Sequence, residues 1–266
     1  MNWSFFIPPD GPADLPGHLA SLVARFQIPI ISKMEDGKSY FYFDRSGPQE
    51  KLLYCSAASA LNLKMSLDWV DSWQYLQRQN YSLSREPLAK AVGAKRSRAL
   101  NIWDLTCGMG HDSFLFLNWG NRVVAFERSP AVCLLLCDAM KRAQESPVPL
   151  LAEVLKNKFQ LLFQDPRDPL PTTLPAELPQ VIYLDPMYGN SWEKRTAKPK
   201  KEIQLFQELV GYDPDAPDLL NWALEMKVPR VVVKRHLRAL PVIKTPAADA
   251  SILGKTVRYD LYFNKK

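Results

Sequence analysis

From Ala99 onward the chain alternates short apolar runs with longer amphipathic stretches. "ALNIWDL" is an apolar run that ends at Asp104 in a glycine turn, and residues 111–119 space their apolar positions as a helix does. "NRVVAFE" (Asn121–Glu127) predicts a second strand. "SPAVCLLLCDAMKRAQE" predicts a helix with Ser129 at its N-cap and Pro130 in its first turn. "KFQLLFQD" (Lys158–Asp165) and "QVIYLD" (Gln180–Asp185) are the third and fourth strands. "PKKEIQLFQELVG" is a helix closed by Gly211, "APDLLNWALEM" another, and "PRVVVKR" (Pro229–Arg235) a fifth strand. "VRYDLYF" (Val257–Phe263) alternates apolar and polar side chains like an antiparallel strand with one exposed face, and "SILGKT" before it is its partner. Strands alternating with helices at this spacing predict an α/β, Rossmann-like sheet, mostly parallel, with an antiparallel C-terminal strand.

The first 83 residues have a different rhythm. "SYFYFD" (Ser39–Asp44) and "KLLYCS" (Lys51–Ser56) are strand-like and separated by Gly47-Pro48. "LKMSLDWVDSWQYLQRQN" mixes strand and helix periods and predicts neither. "SREPLAKAVGAK" (Ser84–Lys95) is a short helix, with Glu86 and Pro87 in its first turn and Gly93 at its end. The expected division is a small β-containing subdomain over 1–83 and a Rossmann-like domain over 84–266.

In parallel sheets ligands bind beyond the carboxyl ends of the strands. Four predicted strands end on an acid there: Asp104, Glu127, Asp165 and Asp185. The turn "DLTCGMGHD" (Asp104–Asp112) carries Gly108 and Gly110, which let the backbone bend tightly and approach a ligand. The third glycine of a dinucleotide fingerprint is absent, since Ser113 holds its place. Glu127 lies seventeen residues after Gly110, where an acid can accept both ribose hydroxyls. Asp165 can receive an adenine amino group. These places together suit an adenosine-containing ligand, either a nicotinamide dinucleotide or S-adenosylmethionine. Taken singly, each acid is equally a helix cap or a surface residue.

Charge sharpens the picture. The net charge of the 266 residues is +6. Residues 1–189 carry 19 basic and 19 acidic side chains, whereas residues 190–266 carry 15 and 9, so the whole excess follows the fourth strand. "EKRTAKPKKE" holds Lys194, Arg195, Lys198, Lys200 and Lys201, and "KRHLR" holds Lys234, Arg235 and Arg238. Both runs suit RNA phosphates; the bland alternative is two solvated charge runs. The four cysteines (Cys55, Cys107, Cys133 and Cys137) form no C-x-x-C pair, which predicts buried reduced thiols and no metal site. Neither a membrane span nor a signal peptide is recognisable, so the expected location is cytoplasmic.

The fourth strand stops at Asp185-Pro186-Met187-Tyr188. This tetrapeptide is similar to the [Asn/Asp]-Pro-Pro-aromatic motif of methyltransferases that act on exocyclic amino nitrogens. Over residues 62–263 the order of "EPLAKAVG", "YLDPMYGN", "KKEIQLFQELVG", "PRVVVKR" and "TPAADASILGKTVRYDLY" resembles the bacterial 16S ribosomal RNA guanine-N2 methyltransferases of the RsmJ type. The resemblance implies a class I, S-adenosylmethionine-dependent enzyme acting on a guanine of 16S rRNA or the small ribosomal subunit. It implies cofactor contacts at His111, Asp112, Glu127, Arg128, Asp165, Pro166 and Asp185, beside Asp104, Gly108 and Gly110 of the turn. Three positions depart from the family. An arginine is usual where His111 stands, two small hydroxyl residues where Asp165-Pro166 stand, and phenylalanine where Tyr188 stands.

The chemistry explains the motif. The guanine 2-amino group is a poor nucleophile because its lone pair is delocalised into the ring. Two acceptors, the Asp185 carboxylate and the Pro186 carbonyl, would take its N–H bonds and turn the lone pair toward the methyl group. Tyr188 would stack on a base splayed out of the RNA. Competing readings are amino methylation of adenine N6, cytosine N4 or a protein glutamine, and a non-catalytic RNA-binding relative. A dehydrogenase would require the missing glycine.

Overall fold

A computed structural model describes residues 3–9, 15–57, 63–79, 83–174, 177–187 and 201–264. Along the chain run β1 (Trp3–Phe6), α1 (Gly17–Arg25), β2 (Ile30–Ile31), β3 (Ser39–Asp44), β4 (Lys51–Cys55), β5 (Lys64–Met65), α2 (Trp69–Arg78) and α3 (Pro87–Val92). They are followed by β6 (Asn101–Asp104), α4 (His111–Asn118), β7 (Arg122–Phe126), α5 (Pro130–Gln144), α6 (Leu151–Lys158) and β8 (Phe159–Leu162). Last come β9 (Val181–Leu184), α7 (Lys201–Val210), α8 (Ala216–Glu225), β10 (Arg230–His236), β11 (Ala250–Leu253) and β12 (Val257–Phe263).

The chain forms two compact units. The first comprises Met1–Asp71, Ser129–Ala152 and Lys198–Val210. Its sheet has the order β2-β1-β3-β4-β5, with β1 parallel to both neighbours and β3, β4 and β5 antiparallel in turn. The β3–β4 hairpin is the one the alternating pattern predicts. Helix α5 packs on β4 and on α1, and its Asp138 is enclosed there. The carboxylate accepts the Leu52 amide (3.1 Å) and pairs with Arg142 (2.9 Å), while Arg142 also donates to the Leu67 carbonyl. A buried charge is tolerable only with such partners.

The second unit comprises Ser72–Arg128, Glu153–Ala197 and Gly211–Lys266. Its sheet has seven strands in the order β11-β12-β10-β9-β6-β7-β8. β10, β9, β6, β7 and β8 are parallel, and β12 and β11 are antiparallel, as the sequence predicts. Trp103, Leu105, Phe126, Ile182, Leu184, Val231 and Val233 pack with Leu219, Leu220 and Ala223 of α8 into one apolar core. The chain leaves β6 toward β7 and β8, then returns to β9 on the other side of β6. The strand order therefore reverses between β6 and β9, and a ligand crevice opens at such a reversal. Asp104 ends β6, and Asp185 directly follows β9.

One expectation changes, and one helix is added. β8 stops at Leu162, so Asp165 stands three residues beyond the strand rather than at its end. Helix α6 ("LAEVLKNK") runs straight into β8, with no cap or glycine to announce it. Among the described residues no helix is long and apolar enough to cross a membrane.

Candidate active site

The turn after β6 is built around Asp104, which is 1% exposed. Its carboxylate accepts the Thr106 amide (3.2 Å) and the Ser113 hydroxyl (2.6 Å). The hydroxyl at the position of the missing third glycine thus anchors the turn to α4. Gly108 and Gly110 have φ of 54° and 82°, a region costly for residues with a Cβ. The Gly108 amide donates to Glu127 Oε2 (2.9 Å), which fixes that acid, 8% exposed, beside the turn. Burial pushes the Asp104 carboxyl up to about 7, and the charges of Asp112 and Asp185 push the same way. A glycine turn beside an enclosed acid that directly follows the second strand suits the ribose and methionine portions of S-adenosylmethionine.

Thr106 ties this turn to the next strand. Its hydroxyl accepts the Asp185 amide (2.6 Å), while its own amide binds Asp104. Beyond β9, the Asp185 carboxylate pairs with the Lys234 ammonium (2.9 Å), which also meets Asp112 Oδ2 (2.8 Å). The enclosed Tyr183 hydroxyl donates to the same Asp112 oxygen (2.5 Å). Burial raises the Asp185 carboxyl, Lys234 opposes it and Asp112 reinforces it. Its side chain is 41% exposed, so solvent screens part of that shift. Burial would lower the Lys234 ammonium, but the two carboxylates outweigh it and hold the group protonated.

A second cluster braces the neighbouring loops. Arg128, just after β7, donates to Asp165 (3.1 Å), Asp213 (2.9 Å) and both oxygens of Asp215 (2.6 and 2.7 Å). Arg167 grips Asp165 (2.8 and 2.6 Å) and Asp215 (2.5 Å). Asp213 then holds the motif itself. Its carboxylate accepts the Met187 amide (2.8 Å), and its amide donates to the Met187 carbonyl (2.7 Å). Arg167 holds the Asp165 carboxyl down at about 2, and Arg128 and Arg167 hold Asp215 lower still.

These bonds locate the predicted residues. Gly108, Gly110, Glu127, Arg128, Asp165, Asp185 and Pro186 belong to the loops that follow β6, β7, β8 and β9; Asp104 is the last residue of β6, and His111, which is exposed, and Asp112 open α4. Pro166 follows Asp165 and is buried. Asp165 and Arg128 are engaged with each other. The "KRHLR" run does not form one solvated face, because β10 is an interior strand between β9 and β12. Lys234 is turned into the Asp112–Asp185 pair, and Arg235, 5% exposed, donates to the Leu240 carbonyl (2.9 Å). Arg238 is the exposed cation of the run. Tyr188, Lys194, Arg195, Lys198 and Lys200 lie outside the described residues, and Lys201 begins α7. Sequence reasoning missed Thr106, Arg167, Tyr183, Asp213 and Asp215. The one local hint was the Asp-Pro-Asp spacing ahead of α8.

A family model described as SAM-dependent methyltransferase matches residues 45–264. Ribosomal RNA small subunit methyltransferase J of Thioalkalivibrio sulfidiphilus is 34% identical over 94% of this chain and 94% of its own. The protein of that name from Hydrogenovibrio crunogenus is 35% identical over 93% and 91%, and that from Pseudomonas aeruginosa 38% over 75% and 74%. A crystal structure of a SAM-dependent methyltransferase from Neisseria gonorrhoeae superposes with a TM-score of 0.69 at 23% identity, covering 98% of this chain and 96% of that one, and so shares the fold. The chain therefore belongs to the ribosomal RNA small subunit methyltransferase J family of S-adenosylmethionine-dependent methyltransferases.

Proposed function

We propose that this protein methylates the exocyclic N2 amine of a guanine in 16S ribosomal RNA. The observation that carries the reading is the placement of Asp185-Pro186 at the strand reversal, bonded through Thr106 to the Asp104 turn. The names of the relatives support small-subunit ribosomal RNA as the substrate. S-adenosylmethionine supplies an electrophilic methyl group on a sulfonium. Asp104, Gly108, Gly110, His111, Asp112, Glu127, Arg128, Asp165 and Pro166 would hold it, with Glu127 on the ribose.

Asp185 and the Pro186 carbonyl accept the two N–H bonds of the target amine and orient its lone pair. This interaction strengthens as the nitrogen becomes cationic, which is when stabilisation lowers the barrier. Asp185 then takes the proton. Tyr188 stacks on the splayed guanine. The cations from Lys194 to Lys201, with Arg238, bind phosphates flanking it. Such a substrate places the protein in the cytoplasm.

The test is methyl transfer from labelled S-adenosylmethionine to small subunits and to naked 16S rRNA lacking guanine-N2 methylation, followed by nucleoside analysis. Label is expected in N2-methylguanosine, and Asp185→Ala should lower the rate about 100-fold or more. Label in an adenine or cytosine amine would replace the guanine assignment. No label in either RNA would sink the reading.

A further inference from the structure

The proposed reaction uses Asp185, yet the structure gives that acid a partner the reaction does not require. β10 runs parallel to β9 with Val233 opposite Leu184, so Lys234 and Asp185 come next to each other just beyond the paired residues. The Lys234 ammonium sits 2.9 Å from Asp185 Oδ2 and 2.8 Å from Asp112 Oδ2. Asp112 is itself fixed by the Tyr183 hydroxyl (2.5 Å), and the Tyr183 ring packs edge-on against Phe116 of α4. Lys234 is 23% exposed and Asp112 18%, so both charges lie mostly inside the protein.

We propose that Lys234 is the positioning residue of the amine acceptor. Clamped by Asp112, it keeps Asp185 ionised and occupies Oδ2, so that Oδ1 receives the N–H of the target base. The inference rests on the function proposed above and assigns Lys234 a part in it. A protonated Asp185 would present a donor where the amine needs an acceptor, and two carboxylates this close cannot both stay ionised without a cation between them. Two carboxylates and one ammonium carry a net charge of −1. That complements the positive charge that passes from the sulfonium to the amine nitrogen during transfer. Lys234 is thereby withdrawn from the phosphate-binding role that its place in a basic run suggests.

Every charged or titratable neighbour bears on the prediction. Asp185 feels Lys234 and Arg235 of β10 and Asp112 of α4. It also faces Asp104 of β6, Tyr183 of β9 and Tyr259 of β12. Removing the ammonium leaves the acids dominant, and removing Asp112 leaves the cations dominant. The two variants must therefore move Asp185 in opposite directions.

The experiment is a carboxyl-carbon NMR titration of protein labelled with 13C-aspartate, with Asp185 assigned by Asp185→Asn. Lys234→Met should move the Asp185 titration up by one pH unit or more, Asp112→Asn should move it down, and Lys234→Arg should stay near wild type. In the methyl-transfer assay the acid limb of kcat against pH should shift in the same directions, with KM for RNA nearly unchanged. Thermal melts identify a variant that fails to fold, and Asp112→Asn then carries the test. An unmoved titration, or shifts of the same sign in both variants, would overturn the proposal. Wild-type protein that transfers no methyl group overturns the assigned function, while the titration still reads the clamp.

Discussion

Asp104 is enclosed and takes hydrogen bonds from Thr106 and Ser113. Burial pushes its carboxyl up to about 7 from the 3.8 of an ordinary aspartate. The folded state therefore holds the proton more tightly than the unfolded chain, and this acid's contribution to stability falls as pH rises from about 4 to 7. Asp104→Asn keeps both bonds, because the amide oxygen accepts from Thr106 and the amide nitrogen donates to the Ser113 hydroxyl. Urea midpoints measured from pH 4 to 8 should show the variant gaining on the wild type across that window. A constant gap would mean the acid is not the cause. Gly110→Ala should cost about 1–2 kcal/mol, from its φ of 82°, and weaken S-adenosylhomocysteine binding in calorimetry. At this scale, Gly108, Gly110, Glu127 and Asp185 were legible because their signal is local: a residue type at a strand end. Lys234 was not. Read along the chain it belongs to a charge run; read across β10 it faces two acids.

The elements from β6 to β12 were largely legible, because most of the parallel strands are apolar runs, β12 alternates as an antiparallel strand does, and the helices other than α6 carry their own period or punctuation. β2 and β5 were not, since two residues show no period. The brace made by Arg128, Arg167, Asp165, Asp213 and Asp215 was not legible as a cluster for another reason: its members come from three loops far apart in sequence, and apart from the Asp-Pro-Asp spacing ahead of α8 nothing local marks the pairing. It nevertheless joins the loops after β7, β8 and β9 to the start of α8. Asp213→Ala should lower kcat about 10-fold or more through the Met187 loop, with a loss of stability on the order of 1 kcal/mol. An unchanged kcat beside a lowered thermal stability would make the effect merely structural. Because Asp165 and Asp215 titrate below an ordinary aspartate when folded, their pairing adds stability above about pH 4. That contribution is lost as pH falls toward 2 and below. Asp215→Asn should therefore destabilise by about 1 kcal/mol at pH 7 and by nothing measurable near pH 1.

For the molecule as a whole, the balance of 15 basic to 9 acidic residues after position 189 predicts salt-sensitive RNA binding. Each phosphate contact to single-stranded RNA contributes about 0.7 to the slope of log K against log salt. Replacing Lys198, Lys200 and Lys201 together with glutamine should flatten that slope by about 2, and Arg238→Gln by less than 1. Fluorescence anisotropy between 50 and 200 mM salt, a range in which such contacts change affinity by orders of magnitude, would measure it. An unaltered slope would return Lys198, Lys200, Lys201 and Arg238 to plain solvated charge.

The two hydrogen bonds that Asp213 exchanges with Met187 make one backbone amide a reporter. While the carboxylate holds it, the Met187 N–H trades its proton for solvent deuterium slowly, at a rate set by how often the loop opens. Deuterium uptake at that single position would time the opening of the proposed catalytic loop without any substrate, and Asp213→Ala would set the fast limit against which that opening is counted.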